Sequence, residues 1–419
     1  MDMIRVNILF IITSPSGGGA ERNSVSLANL LKKNGYNVVV LCTESIKNDY
    51  GLFSDIPLIL LQYEDPKRYS KLLEITRNYK ITTVVLTNHW QTENFNDIYW
   101  FKAQNIKIIA QEHSMFFFPL YVNKSSLFTE RLEAYKTVDV LTCLSKMDAY
   151  LWQISGIQQV RYVPNLVPKL TSNCKLLDFK SRDDSIVIVG KFSEIKGLYN
   201  LPSYLEAAHK LSPTTKFYLF GNFGSKIEKY WFFRELRKRK IKDFVLWHGF
   251  TPNVIQFIRR AKFLFIPSQI EGSPMVILEA RQNGTPCLMF DLDYIDNALH
   301  GVLHVHSEDD FVKKVELLLN NEEFWTKFSN DTQFDLETWQ EESVIQIWEN
   351  LFSQIQDQLP ERSDQILQRS EEEQAMQEFY RAINFTVATR QRNWSSFKKS
   401  PSLLNFILLI KKIKFFIKN

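Results

Sequence analysis

The chain alternates short runs of apolar residues with longer amphipathic segments. The apolar runs are continuous and rich in β-branched residues, which is typical of parallel strands buried on both faces. In the first half of the chain the predicted strands are 6–12, 38–41, 83–86, 106–110 and 138–143. Leu27, Leu30 and Leu31 fall on one face of the segment 21–33, which predicts a helix between the first two strands. This half of the chain predicts a βα domain.

The same pattern restarts beyond residue 165. It predicts further strands at 185–189, 216–220, 244–247, 263–266 and 286–289. We therefore expect an α/β protein with two Rossmann-like βαβ domains and a helical C-terminal extension. Because ligands in such sheets lie beyond the carboxyl ends of the strands, the two domains are expected to face each other across a cleft. The expected divisions are a first domain 1–168, a linker 169–184, a second domain 185–335, a packing helix 336–358 and a tail 359–419.

The extension contains two different kinds of segment. Val344, Ile347, Trp348 and Leu351 recur at helical spacing, which predicts an amphipathic helix over residues 339–352. Pro360 ends this pattern. Residues 361–378 are polar and acidic, which indicates either a solvated helix or a partly disordered segment.

Composition places the chain among folded globular proteins, because 45% of its 419 residues are hydrophobic and 23% are charged. No run of about 18 apolar residues predicts a membrane-spanning helix, and the first apolar run is too short for a secretion signal. The cysteines lie far apart and form no CxxC pair, so neither a disulfide framework nor a zinc ribbon is indicated. A cytoplasmic location is therefore expected. The four cysteines are Cys42, Cys143, Cys174 and Cys287.

Charge is distributed unevenly along the chain. Residues 379–419 contain nine basic residues and no acidic one, whereas residues 1–378 carry a net charge of −5. A mildly acidic body argues against general nucleic-acid binding. The apolar run 403–410 and the basic run 411–418 favour docking on an anionic membrane surface, and packing on the first domain is the alternative.

A glycine-rich turn follows the first predicted strand. Gly17, Gly18 and Gly19 let the backbone approach a ligand closely, and the helix that follows offers its N-terminus to a phosphate. The turn matches neither GxGxxG nor the Walker pattern, so it does not support an NAD fold or a nucleoside triphosphatase. A tight turn between strand and helix, without a ligand, is the alternative.

Two lysines follow the first strand of the second domain. Lys191 and Lys196 place two ammonium groups beyond a strand end, where they suit a diphosphate whose negative charge grows as its bond to a sugar breaks. Ordinary solvated surface lysines are the alternative interpretation.

A pair of glutamates marks the most informative stretch. Glu271 is predicted to lie in a loop and Glu279 early in a helix, so that two carboxylates flank backbone N–H groups able to bind phosphate. The alternative is one solvated glutamate and one favourable first-turn glutamate. Between them stand Gly272, Ser273, Pro274, Met275 and Val276.

In combination these motifs resemble glycosyltransferase family 4, the large retaining family of the GT-B fold. They occur in that family's order and approximate spacing over residues 4–352. The same resemblance includes Pro164-Asn165, Trp247-His248-Gly249-Phe250 and Pro267-Ser268.

The resemblance implies roles in donor binding. Gly18 and Gly19 would line the donor phosphates and the acceptor side, while Lys191 and Lys196 would hold the diphosphate. The family usually has arginine where this chain has Lys191, so a bidentate phosphate contact would become a point charge. Backbone amides of residues 273–276 would cap the phosphate.

Catalytic roles are also implied by the resemblance. Glu271 would contact the donor sugar near the reacting carbon, Glu279 would bind the ribose, and His113 would face the donor sugar. His89 either lines the acceptor side of the site or is a packed or loop histidine without a role in binding.

No metal is expected. His300, His304 and His306 fall where the family has a glycine-containing loop and a short strand, which favours a structural role over a metal cluster. Asp291 and Asp293 resemble a DxD metal motif, but they follow a late strand of the second domain and are interpreted as loop residues.

The implied function is transfer of a sugar from a UDP- or GDP-sugar to an acceptor hydroxyl, with the anomeric configuration kept and no cofactor needed. The expected acceptor is a saccharide or lipid-linked saccharide of bacterial surface polysaccharide synthesis, at the inner face of the cell membrane. The alternatives are a GT-B epimerase or phosphorylase and a non-catalytic binding or chaperone subunit.

Overall fold

The computed structural model describes residues 6–87, 92–121, 125–167, 175–251, 253–290 and 300–356. These residues form two compact units. The first contains the described residues up to Leu166 together with those from Glu341 onward, and the second is Val167–Gln340.

The first unit is built on a seven-stranded parallel sheet with the order β3-β2-β1-β4-β5-β6-β7. Its strands are β1 (Asn7–Ile12), β2 (Asn37–Cys42), β3 (Leu58–Leu60), β4 (Thr83–Leu86), β5 (Lys107–Gln111), β6 (Val140–Cys143) and β7 (Val160–Tyr162). Its first helices are α1 (Gly19–Lys33), α2 (Arg68–Asn78), α3 (Thr92–Ala103), α4 (Phe118–Tyr121), α5 (Ser125–Tyr135) and α6 (Lys146–Ile154).

The second unit is built on a six-stranded parallel sheet with the order β10-β9-β8-β11-β12-β13. Its strands are β8 (Asp183–Val189), β9 (Lys216–Phe220), β10 (Val245–Gly249), β11 (Ala261–Ile266), β12 (Cys287–Phe290) and β13 (Val302–Val305). Its helices are α7 (Leu201–Leu211), α8 (Lys226–Lys238), α9 (Ile255–Arg260), α10 (Met275–Gln282), α11 (Glu308–Asn320) and α12 (Glu322–Asp331). Three short 3-10 helices, Glu194–Lys196, Lys242–Phe244 and Leu336–Trp339, complete it.

The last described helix, α13 (Glu341–Gln356), belongs to the first unit. Its apolar face, including Val344, Trp348 and Leu351, is buried in the same core as Phe10 of β1. This confirms the amphipathic packing helix that the spacing of these residues predicts. The chain thus leaves the first unit, forms the second and returns to pack on the first.

All ten predicted strands are present, because each coincides with a continuous apolar run that the core can bury. Three edge strands, β3, β7 and β13, are not among the ten strands that the pattern predicts. β3 and β7 have three residues each, a length too short to carry a recognisable pattern, and in β13 His304 interrupts the apolar run. Each is defined by its hydrogen bonds to the neighbouring strand.

Within the described part of the chain, no helix combines the length and the apolar character that crossing a bilayer requires. Cys42, Cys143 and Cys287 are buried free thiols. Several residues discussed above lie outside the described residues: His89, Cys174, Asp291, Asp293, residues 169–174 of the predicted linker, residues 357 and 358 of the predicted packing helix, and the whole predicted tail 359–419.

Candidate active site

The predicted donor-binding residues of the second unit gather at the point where the strand order of its sheet reverses. From β8 the chain adds β9 and β10 on one side, and then β11, β12 and β13 on the other. Lys191 and Lys196 follow β8, and Glu271 follows the adjacent strand β11. Open α/β sheets bind ligands at this kind of switch point, because the two diverging loops leave a crevice beyond the strand ends.

Lys196 and Glu271 form an ion pair at this point. The Nζ atom of Lys196 lies 2.7 Å from Oε1 of Glu271, with side-chain exposures of 29% and 12%. The same Nζ atom lies 3.4 Å from the carbonyl oxygen of Ile270. Partial burial strengthens such an ion pair relative to one that is fully exposed to water. The pair holds a cation and a carboxylate in fixed positions side by side.

Close backbone packing fixes the loop of Lys196 against the loop of Glu271. Gly197 has a φ of +76°, and a Cβ atom added to it would lie 1.9 Å from the carbonyl oxygen of Pro267. The backbone N–H of Gln269 donates to the carbonyl of Ile195 over 3.0 Å. Only glycine allows this approach, so the Lys196-Gly197 sequence serves the geometry of the site as well as its charge.

Lys191 lies on an exposed part of the same loop region. Its neighbour Phe192 is buried and donates its backbone N–H to the carbonyl of Asn222, and it accepts a hydrogen bond from the N–H of Gly224. These bonds extend the pairing of β8 and β9 beyond the strands. Lys191 therefore follows directly on an anchored backbone, and the residue itself is exposed to solvent.

Helix α10 starts directly beyond Glu271. Pro274 is its N-cap residue, with φ −68° and ψ 116°, and Met275 is its first helical residue. Gly272, Ser273 and Val276 are half-buried around this start. The first N–H groups of a helix have no acceptor within it, so the beginning of α10 favours an anion beside Lys196 and Glu271.

Glu279 lies in the second turn of α10 rather than in its first. Its side chain is buried, with 4% exposure, and its carbonyl oxygen accepts a hydrogen bond from Nδ2 of Asn283 over 2.8 Å. The favourable first-turn glutamate of the alternative interpretation is therefore not what the structure contains.

The glycine turn of the first unit follows β1. This strand lies at the point where the strand order of the first sheet reverses, with β2 on one side and β4 on the other. Gly17 has a φ of +111°, and its carbonyl oxygen accepts a hydrogen bond from the hydroxyl of Tyr50 over 2.5 Å. The N–H of Gly18 donates to Oε2 of Glu21 over 3.1 Å. Burial raises the pKa of Glu21, and the backbone N–H bonds to its carboxylate oppose that rise. The backbone from Gly17 to Gly19 stays exposed, so it is accessible to a ligand.

His113 follows β5 in the first unit, on a loop that a buried carboxylate holds in place. Glu112 accepts hydrogen bonds from the N–H of Ser114 over 3.0 Å, from Nη1 of Arg131 over 3.0 Å and from the hydroxyl of Tyr135 over 2.9 Å. Arg131 and Glu112 are both almost fully buried. This arrangement fixes the backbone on either side of His113.

A second buried acid supports the same loop. Oδ1 of Asp148 accepts from the N–H of Phe116 over 2.7 Å, and Oδ2 accepts from the hydroxyl of Ser145 over 3.0 Å. Burial raises the pKa of Asp148 to about 6, against the opposing effect of these hydrogen bonds. We did not predict a role for Glu112 or Asp148 from the sequence. The available signal for Glu112 was an acidic residue directly after a buried strand.

His300, His304 and His306 each occupy a separate structural position. Nδ1 of His300 lies 3.2 Å from Oδ1 of Asp331, and the ring of His300 packs on Phe334. His304 is part of β13, and the N–H of His306 donates to Oδ2 of Asp310. Across the described ranges, no three His, Cys, Asp or Glu side chains are grouped as metal ligands would be.

The predicted residues are thus divided between the units. Gly18, Gly19 and His113 follow strands of the first unit. The second unit brings Lys196, Glu271 and the start of α10 together, with Lys191 in the same loop as Lys196 and Glu279 one turn further along the helix.

Comparison with known proteins gives a match for each unit. Residues 17–168 match the family described as Glycosyltransferase Family 4, and residues 175–333 match Glycosyl transferases group 1. An uncharacterized glycosyltransferase of Haemophilus influenzae is 26% identical over 365 residues, which cover 82% of this chain and 98% of that protein.

Two further comparisons concern a named enzyme and a solved structure. A Campylobacter jejuni protein is 24% identical over 84% of this chain and 99% of its own length, and it is named as an alpha-1,4-N-acetyl-D-galactosaminyltransferase of an undecaprenol-diphosphate-linked GalNAc saccharide. The structure of Anabaena HepE in complex with UDP and glucose has a TM-score of 0.68 at 13% identity, covering 83% of this chain and all of that one. At this identity the structural likeness shows the fold, which is GT-B.

Proposed function

Since this chain belongs to the GT-B glycosyltransferases of family 4 type, we propose that it moves a sugar from a nucleoside diphosphate sugar to an acceptor hydroxyl and keeps the anomeric configuration. The observation that carries the proposal is the pair of Lys196 and Glu271 at the switch point of the second sheet. It places a cation suited to a diphosphate beside a carboxylate suited to sugar hydroxyls.

The proposed chemistry uses the cation first. As the bond between the anomeric carbon and the diphosphate oxygen breaks, negative charge grows on the leaving oxygen, and the ammonium group of Lys196 stabilises it. The start of α10 and the exposed ammonium of Lys191 add positive potential at the same place. Stabilisation that grows with this charge lowers the barrier rather than tightening donor binding alone.

Glu271 has the complementary role in the proposal. Its carboxylate accepts hydrogen bonds from donor sugar hydroxyls near the reacting carbon once Lys196 turns to the diphosphate. Glu279 binds the ribose, and His113, whose loop is held by the hydrogen bonds of Glu112, contacts the donor sugar. Gly18 and Gly19 offer exposed backbone to the phosphates and the acceptor.

Retention follows from front-face displacement in this proposal. The acceptor hydroxyl attacks from the side that the diphosphate leaves, and a diphosphate oxygen takes the proton of the acceptor. A donor with an alpha-linked sugar then gives an alpha-linked product, which is the linkage named for the Campylobacter relative.

The acceptor that we propose is a saccharide carried on a lipid, in the synthesis of a bacterial surface polysaccharide. The Campylobacter relative supports this choice, since its name includes a saccharide linked through diphosphate to undecaprenol. Such an acceptor places the reaction at the inner face of the membrane. The basic tail, which lies outside the described residues, is proposed to dock there.

No metal or other cofactor takes part in the proposed reaction. Lys191, Lys196 and the start of α10 supply the positive charge that a divalent ion supplies in other glycosyltransferases.

A screen of UDP- and GDP-sugars tests the proposal directly. Thermal unfolding is measured with each donor, because a ligand that binds only the folded protein raises its stability by mass action. The stabilising donor is then given with short saccharide acceptors, and the product linkage is read by NMR. We expect one donor to stabilise the protein and to yield an alpha-linked product. Conversion of that donor to its epimer, or binding without any transfer, would overturn the proposal.

A further inference from the structure

Helix α8 of the second unit has an unusual outer face. Ile227 and Tyr230 are 80% and 67% exposed, the two highest values among the large apolar side chains of the described residues. Phe232 and Leu236, on the opposite side of the helix, are fully buried in the core. Ile227, Tyr230 and Arg234 stand at i, i+3 and i+7, so they share one face that points away from the core.

The aromatic part of this face continues beyond the helix. The ring of Trp231 packs edge-on against Tyr199, with their centroids 4.8 Å apart, and Tyr199 is itself exposed. Isoleucine, tyrosine and tryptophan thus form one apolar strip. We call this strip, together with the exposed Arg234 and Arg237 of α8, the α8 face.

The segment that carries the strip is rich in basic residues. Residues 226–243 contain eight basic and three acidic side chains, although residues 1–378 as a whole carry a net charge of −5. Arg234 and Arg237 lie on the exposed side of α8. The basic residues are Lys226, Lys229, Arg234, Arg237, Lys238, Arg239, Lys240 and Lys242.

We propose that the α8 face docks on an anionic membrane surface. Tyrosine and tryptophan favour the level of the lipid headgroups, an exposed isoleucine gains by entering the acyl boundary, and basic side chains are attracted to anionic lipids. Apolar burial together with charge complementarity to anionic lipid accounts for both kinds of side chain.

The position of α8 gives this docking a consequence. Ser225 caps the helix, and the N–H of the preceding Gly224 donates to the carbonyl of Phe192 over 2.9 Å. Phe192 follows Lys191 directly, so the start of α8 is hydrogen-bonded to the lysine loop. On the proposed function, docking through α8 brings a lipid-linked acceptor next to the site that holds the donor diphosphate.

The test uses the full chain and vesicles of phosphatidylcholine with or without phosphatidylglycerol. The double variant Ile227→Ser, Tyr230→Ser removes the apolar strip from a solvent-exposed face and leaves the buried face intact. We expect its affinity for anionic vesicles, measured by sedimentation, to fall roughly 30-fold, because two apolar side chains that become partly buried in the membrane on docking are lost. Phe334→Ser, which removes a 63% exposed phenylalanine elsewhere in the unit, is the matched control and should bind as the unaltered chain does.

A second variant tests the electrostatic part. Arg234→Gln with Arg237→Gln should weaken binding to anionic vesicles about 30-fold and leave the weak binding to neutral vesicles unchanged. Both double variants should keep their rate of transfer to a short soluble acceptor, because neither changes the donor site. Their transfer to an acceptor embedded in anionic vesicles should fall with binding.

Three outcomes would overturn the docking proposal. Unchanged vesicle binding in both double variants would assign membrane binding to another part of the chain. Concentration-dependent dimers that Ile227→Ser, Tyr230→Ser abolishes would assign the face to a second copy. If Phe334→Ser lost as much vesicle binding as the α8 variants, the loss would not be specific to the α8 face. Absence of transfer to any soluble acceptor, with α8-dependent vesicle binding retained, would instead count against the proposed function alone.

Discussion

The ammonium group of Lys196 and the carboxylate of Glu271 lie 2.7 Å apart, although they follow different strands of the second sheet. Each holds the other in place before any ligand binds. A donor that enters this site exchanges one interaction for two, because the diphosphate takes the ammonium and the sugar hydroxyls take the carboxylate. This exchange makes the two residues energetically dependent on each other.

The first prediction is a non-additive mutant cycle. Glu271→Gln and Lys196→Ala should each lower kcat on the order of 10²-fold, as expected for the loss of one preorganised electrostatic group. The double variant should lose much less than the product of the two effects, because residues in direct contact do not act independently. Single-turnover rates of the four proteins measure this coupling.

Lys196→Arg is the control for charge, and it should recover part of the rate. Strictly multiplicative losses would show that the pair is not a unit. Near-normal kcat in Glu271→Gln, or a loss confined to stability in Lys196→Ala, would contradict the roles proposed for these residues.

Gly197→Ala should destabilise the protein and displace the lysine loop. The new Cβ atom would meet the carbonyl oxygen of Pro267 at 1.9 Å, and the residue would also occupy a φ of +76°. The φ alone costs roughly 1–2 kcal/mol, and forced movement of packed backbone adds roughly 1–3 kcal/mol. Urea unfolding and donor affinity should both worsen.

Gly156→Ala is the matched control for this change. Gly156 also has a positive φ, +98°, but a Cβ atom there has open space around it. Its loss of stability should correspond to the φ alone. If both variants lost the same stability, close packing between Gly197 and Pro267 would not be the cause.

Asp148 should make stability fall as the pH rises through weakly acidic values. Burial raises its pKa from an ordinary value of 3.8 to about 6 in the folded protein, so the unfolded chain ionises first as the pH rises. Stability due to this group is complete below about pH 4 and is lost by about pH 6, by up to about 3 kcal/mol. Asp148→Asn, which keeps an acceptor for Phe116, should therefore gain stability relative to the unaltered protein across this range.

Asp65→Asn is the control with the opposite sign. The ammonium of Lys71 and the N–H of Lys67 lower the pKa of Asp65, so Asp65 stabilises the folded protein above its usual pKa. Urea midpoints measured across the same pH range should separate the two effects. Parallel curves for the unaltered protein and Asp148→Asn would contradict the assigned cause.

Transfer should continue without a divalent ion. The positive charge around the diphosphate is proposed to come from Lys191, Lys196 and the start of α10. Enzyme treated with EDTA and assayed in chelator should keep its rate. Complete loss, with rescue by Mn²⁺ or Mg²⁺, would contradict this and direct attention to Asp291 and Asp293.

Deletion of residues 400–419 should weaken binding to anionic vesicles more than to neutral ones. This segment contains the apolar run 403–410 and four of the nine basic residues of the tail. Transfer to a short soluble acceptor should remain. Unfolding of the truncated chain would support packing of the tail on the first unit, and undiminished vesicle binding would leave the α8 face as the docking surface.

Local pattern was enough to predict most of the fold. The apolar runs that became β1 and β11 could be recognised because a strand buried on both faces needs apolar side chains at successive positions. The edge strands β3 and β7 lack that requirement, since a strand at the edge is specified by the neighbour with which it pairs. Three residues carry too little pattern to reveal it.

The sequence by itself determined two βα units, the amphipathic face of α13 and the residues at the ends of the strands. Only the tertiary structure decided that α13 packs on the first unit, that Lys196 meets Glu271, and that Glu112 holds the loop of His113. Hydrophobic periodicity is a property of neighbours in the chain, so it can be read locally. The order of strands in a sheet, and therefore which loops meet, depends on the free energy of burying all the helices and strands at once.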